Sequence, residues 1–238
     1  MPAAAVSIDV WDTLLRLGRF YGMLAASLAE LLARDGREVE ESLRRARARV
    51  KELRAQGAVN PSAVIEQCAG ILAGELGCSR EVVKRGVARA VASLEPEGIV
   101  YEDALEALEG LAGRGVPVVA LSNVMWWPGY ITRVIVEKAG LGKLLAAQVY
   151  ADEVYALKPD ARMFKAGEEA LRDAGFEARL VAHAGDDFRE DFLGAMSVGL
   201  VAVLVDRTGA FGEGAYFRGR GYIIRDLRRL ARVLEELL

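Results

Sequence analysis

Histidine occurs once in the 238 residues, as His183, and cysteine twice, as Cys68 and Cys78. Two thiols alone do not make a zinc site. Both are expected as small buried hydrophobes; a disulfide is the alternative, and a hot habitat would favour it. Asn and Gln are also scarce (Asn60, Asn123, Gln56, Gln67, Gln148), which fits such a habitat or GC-rich coding. Neither sign of charge dominates. With 31 Lys and Arg against 34 Asp and Glu, a net charge of −3 and no basic cluster, no nucleic-acid partner is expected. No apolar run reaches the ~18 residues of a membrane span, so no membrane partner is expected. The opening MPAAAVSIDV lacks a basic n-region, so a cytoplasmic location is the expectation. Internal repeats and low-complexity stretches are absent. What remains, 53% hydrophobic and 27% charged residues, suits a globular chain with a full core and one or two domains.

Two kinds of sequence alternate unevenly. After an apolar opening strand, residues 20 to 95 carry no convincing strand. Apolar residues there fall at helical spacing: Leu24, Leu28, Leu31 and Leu32, then Val64, Ile65, Ile71 and Leu72. The run EESLRRARARVKELRAQG, residues 40 to 57, reads as a charged helix whose arginines cover a solvated face. Asn60 before Pro61, and Ser79 before REVV, mark helix starts. From about residue 98 short apolar strands alternate with helices. Helix EDALEALEGLAGRG ends on Gly115 and strand VPVVALS follows. After a helix near 129 to 139 come AQVYA, a helix from Asp160 to Ala174, RLVAHAG, helix REDFLGAMSVG, LVAVLVD, GYII and a terminal helix. That pattern predicts a parallel sheet covered on both faces, an α/β fold. The stretch 17 to 97 interrupts it as an inserted helical domain. Gly209, Gly212, Gly214, Gly219 and Gly221 read as flexible connection.

In such sheets ligands bind beyond the carboxyl ends of the strands. The first strand delivers Asp9 and then Thr13 there. VPVVALSN delivers Ser122 and Asn123, the loop after AQVYADEV leads to Lys158, and RLVAHAG delivers Asp186 and Asp187, with Asp191 further on. Convergent carboxylates favour Mg²⁺, a hard cation that takes oxygen ligands. A hydroxyl, backbone amides and a lysine favour a phosphoryl group. Each residue alone is a weak signal, but four such strand ends in order are a strong one.

In this order the segments resemble the haloacid dehalogenase superfamily over nearly the whole chain: SIDVWDTLL its first motif, ALSN its second, LKPDARMF its third and AGDDFREDFLGA its fourth. The resemblance implies a Rossmann-like core of residues 1–16 and 98–238, with a helical cap of residues 17–97 over the active site. It implies Asp9 as a nucleophile forming an aspartyl intermediate and Lys158 as the cation that neutralises charge beside it. Ser122, Asn123 and Thr13 would serve the substrate, Thr13 by bracing the loop. Mg²⁺ would sit on Asp9, Asp186 and the main-chain carbonyl of Trp11, with Asp187 and Asp191 behind it or paired to the lysine.

One position departs from the pattern. The phosphatase form of the first motif has a second Asp, the general acid, where this chain has Trp11. In the dehalogenases of the family that position is also aromatic, and no metal is used. GDD pulls the other way, since Asp9, Asp186 and Asp187 without a cation would crowd like charges. Asp12, three residues after the nucleophile, does not share its face of a strand and is expected as a loop or cap residue. The expectation is an Mg²⁺-dependent phosphatase acting on a small phosphate ester. The alternatives are a metal-free 2-haloacid dehalogenase and a catalytically weak binding protein. Trp126 and Trp127 are placed at the rim, lining an entrance or packing cap to core or subunit to subunit. His183 is placed in the core. Oligomeric state and substrate identity are not legible.

Overall fold

The computed structural model describes residues 3–235. Seven strands form one sheet in the order β3-β2-β1-β4-β5-β7-β6. They are β1 (Ala3–Ile8), β2 (Val118–Ser122), β3 (Ala147–Tyr150), β4 (Ala178–Gly185), β5 (Val201–Val205), β6 (Gly214–Tyr216) and β7 (Gly221–Ile224). Every neighbouring pair is parallel except β6 and β7. All five residues of β2 and all four of β7 are buried, as continuous apolar strands of a doubly covered sheet should be. The fold is therefore the expected α/β, Rossmann-like sheet.

Strand order decides where a ligand can sit. The chain runs outward from β1 to β2 and β3, then returns to the other side of β1 as β4. A crevice opens at such a reversal. Ser7 pairs with His183 and Ile8 with Ala184, and the Asp9 N–H continues the ladder to the Ala184 carbonyl at 2.9 Å. This register brings the residues after β1 and those after β4 to the same mouth.

Four helices separate β1 from the rest: α1 (Leu17–Leu32), α2 (Gly36–Ala55), α3 (Val64–Leu76) and α4 (Arg80–Ala92). Their starts follow local chemistry. Asp35 accepts from the N–H groups of Arg37 and Glu38, Asn60 from Ser62 and Ser79 from Val82, each satisfying donors that a helix leaves open. Leu24 and Leu28 of α1, Leu43 and Val50 of α2, Leu72 of α3 and Val83 of α4 are buried. Gly86 allows α4 to meet α1: a Cβ there would lie 2.5 Å from Leu28 Cδ2. Cys68 is buried and Cys78 half-buried, and both are free thiols. The remaining helices are α5 (Glu102–Gly113), α6 (Gly129–Lys138), α7 (Ala151–Val154), α8 (Ala161–Asp173), α9 (Gly194–Ser197) and α10 (Leu230–Glu235). No described helix is long and apolar enough to cross a membrane.

Three expectations need correction. The glycine-rich stretch is not only connection, because it contains β6, held antiparallel to β7 by backbone pairing with all three of its residues exposed. Exposed edge pairing of this kind leaves no apolar pattern to read. The helix expected at REDFLGAMSVG is a π-helical turn, Phe188–Leu193, followed by the single turn α9. The terminal helix is short within the described residues, and its last three positions lie outside them.

The loop after β1 is fastened from the other side of the sheet. Arg207, just past β5, donates to the carbonyls of Asp12 (3.2 Å) and Thr13 (2.8 Å) and to Asp103 of α5 (2.9 Å). Asp103 also accepts from Leu227 N at 2.8 Å. Burial raises the Asp103 pKa, but Arg207 and the Leu227 N–H outweigh it and hold the carboxyl below its usual range. Asp103→Asn should therefore cost about 1–3 kcal/mol at pH 7. A depressed folded-state pKa stabilises above the unfolded value of ~3.9 and loses that contribution as pH falls through the folded value. Urea unfolding of both proteins at pH 7, 5, 4 and 3 should show the difference shrinking only below about pH 4.

Candidate active site

A buried ammonium organises the mouth between β1 and β4. Lys158 is 2% exposed, and its Nζ lies 2.7 Å from Asp9 Oδ1, 2.6 Å from Asp191 Oδ1 and 2.6 Å from the Leu121 carbonyl. All three of its protons are thus spent. Asn123 sets its backbone: Oδ1 accepts from Lys158 N at 2.8 Å, while Nδ2 donates to Lys158 O at 3.1 Å and Glu190 Oε2 at 2.8 Å. Asn123 therefore spends its side chain on positioning. Ser122 is buried on the cleft wall, with its hydroxyl 3.3 Å from the Asn123 carbonyl.

Asp191 is tied on every side. Oδ1 also meets His183 Nε2 at 3.1 Å, and Oδ2 accepts from Asp187 N at 3.0 Å. His183, fully buried in β4, contacts Ser7 Oγ through Nδ1 at 2.8 Å. Gly185 makes this fit possible: a Cβ there would stand 2.3 Å from the Asp191 carboxyl. Asp187 turns away from the group, accepting from Lys51 at 2.7 Å and from the N–H groups of Arg189 and Glu190. So Asp191 is the lysine partner, and Asp187 belongs to a contact with α2.

Charge then falls unevenly. Burial pushes Asp9 up to about 7, with Lys158 pulling down and Asp191 pushing up. Burial opposes the charged forms of Lys158 and Asp191, yet each holds the other ionised; the Lys158 pKa is raised and the Asp191 pKa lowered. Burial holds His183 below its ordinary value. Asp186 is raised well above the usual carboxylate range, first by burial and then by Asp9 and Asp191. Among the described residues, no hydrogen bond or ion pair reaches the Asp186 carboxylate.

The donor set fits a hard divalent cation. Asp9, Asp186 and Asp191 offer oxygens within 4.8 Å of one another. Asp191 is fully engaged, which leaves Asp9 and Asp186. The Trp11 carbonyl accepts from no N–H of the described residues. Arg47 pairs with Asp12, Lys51 with Asp187, Arg54 with Glu190, and Lys158 with one of Asp9 and Asp191. Two carboxylates are left over, the charge one divalent cation neutralises.

The cleft above opens to solvent. One wall carries Trp11, Tyr21 and Trp127, with Trp11 against Phe20 of α1 (5.6 Å between ring centres) and Trp127 (5.7 Å). Trp126 lies beneath, 1% exposed and stacked on Tyr21. Both tryptophans after β2 therefore pack α1 to the sheet loops, and Trp127 also faces the cleft. Thr13 does not reach it: the residue is fully buried and its hydroxyl has no partner. Asp12 sits at φ 57° and accepts from Leu17 N and Arg47, as a loop and helix-start residue.

Arg47, Lys51 and Arg54 were expected on a solvated face, and the structure puts them on the cleft. Their spacing of four and three residues gives one stripe of α2, beside buried Leu43, Ala46 and Val50. That spacing was readable, but the same pattern occurs on any charged surface helix. Glu190 was missed as well, because its contacts are made by residues far away in sequence.

A family model described as a haloacid dehalogenase-like hydrolase matches residues 3–199. A curated glyceraldehyde 3-phosphate phosphatase from Methanothermobacter thermautotrophicus is 32% identical over 140 residues, which is 56% of this chain and 58% of that protein. The match thus spans little more than half the length of that relative. Two solved structures share the fold. One, from Bacillus subtilis, is described as a HAD-hydrolase bound to magnesium; its TM-score is 0.74 at 13% identity, covering 98% of this chain and 99% of that one. The other, a 2-haloacid dehalogenase from Pseudomonas syringae, has a TM-score of 0.62 at 20% identity, covering 100% of both.

The unpartnered Asp186 yields a prediction. In chelator, Asp186→Asn should raise the melting temperature, because it removes a like charge beside Asp9. Mg²⁺ at a hundred times its Kd should stabilise the native protein by about 2.7 kcal/mol, and the variant should lose most of that gain. Scanning calorimetry with and without Mg²⁺ reads both; an equal Mg²⁺ shift in the two proteins would remove Asp186 from the site.

Proposed function

The chain belongs to the haloacid dehalogenase-like hydrolases, and on that premise we propose that it is a Mg²⁺-dependent phosphatase acting on a small phosphate ester. The observation that carries this reading is the unpartnered Asp186 beside Asp9. A carboxylate pair of which only Asp9 meets a cation suits metal-assisted phosphoryl transfer. The phosphatase named among the relatives supports the same choice.

In this reading Asp9 attacks phosphorus while the ester oxygen departs, giving an aspartyl phosphate that water then hydrolyses. Lys158 takes Asp9 Oδ1, and Oδ2 accepts no hydrogen bond among the described residues. Lys158 orients the nucleophile and offsets charge gathering on the transferred group. Asp191, held by His183, keeps Lys158 in place. Ser122, on the cleft wall, supplies a hydroxyl to the phosphoryl oxygens. Asp9, Asp186 and the Trp11 carbonyl would hold Mg²⁺, which supplies neutralisation of phosphoryl charge when bound. Helices α1–α4, residues 17–97, act as a cap, and the ion pairs from α2 to the loops of the sheet hold it over the site.

Trp11 shapes the chemistry further. Trp11 brings no carboxyl group to the leaving oxygen, and Asp12 beside it is committed to Leu17 N and Arg47. A positioned general acid is worth roughly 10²–10⁴ in rate. A competing reading, a metal-free 2-haloacid dehalogenase, draws on the aromatic Trp11 and on the shared fold of a dehalogenase. Asp186 weighs against it, because it would stay crowded against Asp9.

The deciding assay compares nitrophenyl phosphate, an alkyl phosphate and 2-chloropropionate, with Mg²⁺ and with chelator. Nitrophenyl phosphate should turn over at least ~10²-fold faster than the alkyl ester, because its leaving group departs without a proton. Chelator should abolish both, and Asp9→Asn should abolish both with the fold intact by circular dichroism. Metal-independent release of chloride would establish the dehalogenase instead.

A further inference from the structure

The three cations that α2 turns to the cleft are not equally occupied. Arg47 meets Asp12 Oδ2 at 3.2 Å and Lys51 meets Asp187 Oδ2 at 2.7 Å, so each has an acid of its own. Arg54 shares its acid. It contacts Glu190 Oε1 at 3.5 Å, while the other oxygen of that carboxylate accepts from Asn123 at 2.8 Å and lies 3.4 Å from Lys51. Its other contact is one N–H given to the Val124 carbonyl.

The Arg54 side chain is 8% exposed, and its Nε is buried with no hydrogen-bond partner. A guanidinium keeps its charge when buried, and an unmade donor there is costly. Arg54 nevertheless lines the same cleft as Asp9 and Ser122. Its planar fork of donors matches a carboxylate or phosphate by two parallel hydrogen bonds. Nothing in the phosphoryl-transfer chemistry at Asp9 uses it.

We propose that the substrate carries a second anionic group, carboxylate or phosphate, which Arg54 binds while the scissile phosphoryl group lies at Asp9. The inference rests on the phosphatase reading and narrows its substrate class. The aromatic wall of Trp11, Tyr21 and Trp127 contacts the carbon skeleton between the two anions. Arg47 and Lys51 add positive potential and keep α2 seated.

The test uses the Mg²⁺-loaded protein and two phosphate esters of equal chain length, one ending in a carboxylate and one in a methyl group. The native protein should show a KM for the carboxylate ester roughly 10- to 100-fold below that for the methyl ester, the worth of a charge-assisted contact. Arg54→Gln should collapse that ratio toward one, and Arg54→Lys should keep part of it. Circular dichroism and melting temperature check that both variants fold. A bisphosphate in place of the carboxylate ester separates the two kinds of second anion. Equal KM values for the methyl, carboxylate and bisphosphate esters in the native protein, or an unchanged ratio in Arg54→Gln, would overturn the inference. Calorimetric titration with 3-phosphonopropionate separates this failure from failure of the phosphatase reading. If neither ester turns over, phosphatase activity is refuted. Weaker phosphonopropionate binding to Arg54→Gln then still supports the clamp, and unchanged binding overturns it.

Discussion

The whole site hangs on one buried ammonium. Lys158 sits between Asp9 and Asp191, and all three are largely withdrawn from water. A single buried charge there would be untenable: Lys158 and Asp191 hold each other ionised, and Lys158 draws Asp9 down against its burial. This explains the dense bracing around it. Asn123 fixes the lysine backbone at both N–H and carbonyl. His183 and the Asp187 N–H fix Asp191, and the absent side chain of Gly185 lets that carboxylate come close. The sheet register then places Asp9 against the group from the neighbouring strand.

That arrangement leaves a surplus of negative charge on the open side. Asp186 faces Asp9 without a cation, and the cations of α2 approach from above. The same imbalance favours a divalent cation below and seats α2 across the mouth. Helix and sheet are thus joined by charge at the cleft and by aromatic packing beside it, where Trp11, Phe20 and Trp127 meet. Trp11 belongs to that packing. Its ring fills the junction, which gives a physical reason for an aromatic where an acid would otherwise aid the leaving group.

The α/β class was legible in the sequence, and so were Asp9, Ser122, Asn123, Lys158, Asp186 and Asp191 as candidates at strand ends, which the fold gathers at one mouth. These follow from local pattern: apolar strands of a few residues, each followed by a polar residue, in a fixed order. The helix starts at Asn60 and Ser79 were legible for the same reason, since a cap bonds within its own turn. The remainder came from packing across the chain. Which acid pairs with Lys158, why Thr13 stays out of the cleft and why Arg47, Lys51 and Arg54 face inward all depend on contacts between residues distant in the chain. Arg54 meets Glu190 across 136 positions, and a charged helix stripe carries no local mark of which surface it will meet. Exposed β6 escaped notice because backbone pairing, unlike burial, imposes no pattern on side chains.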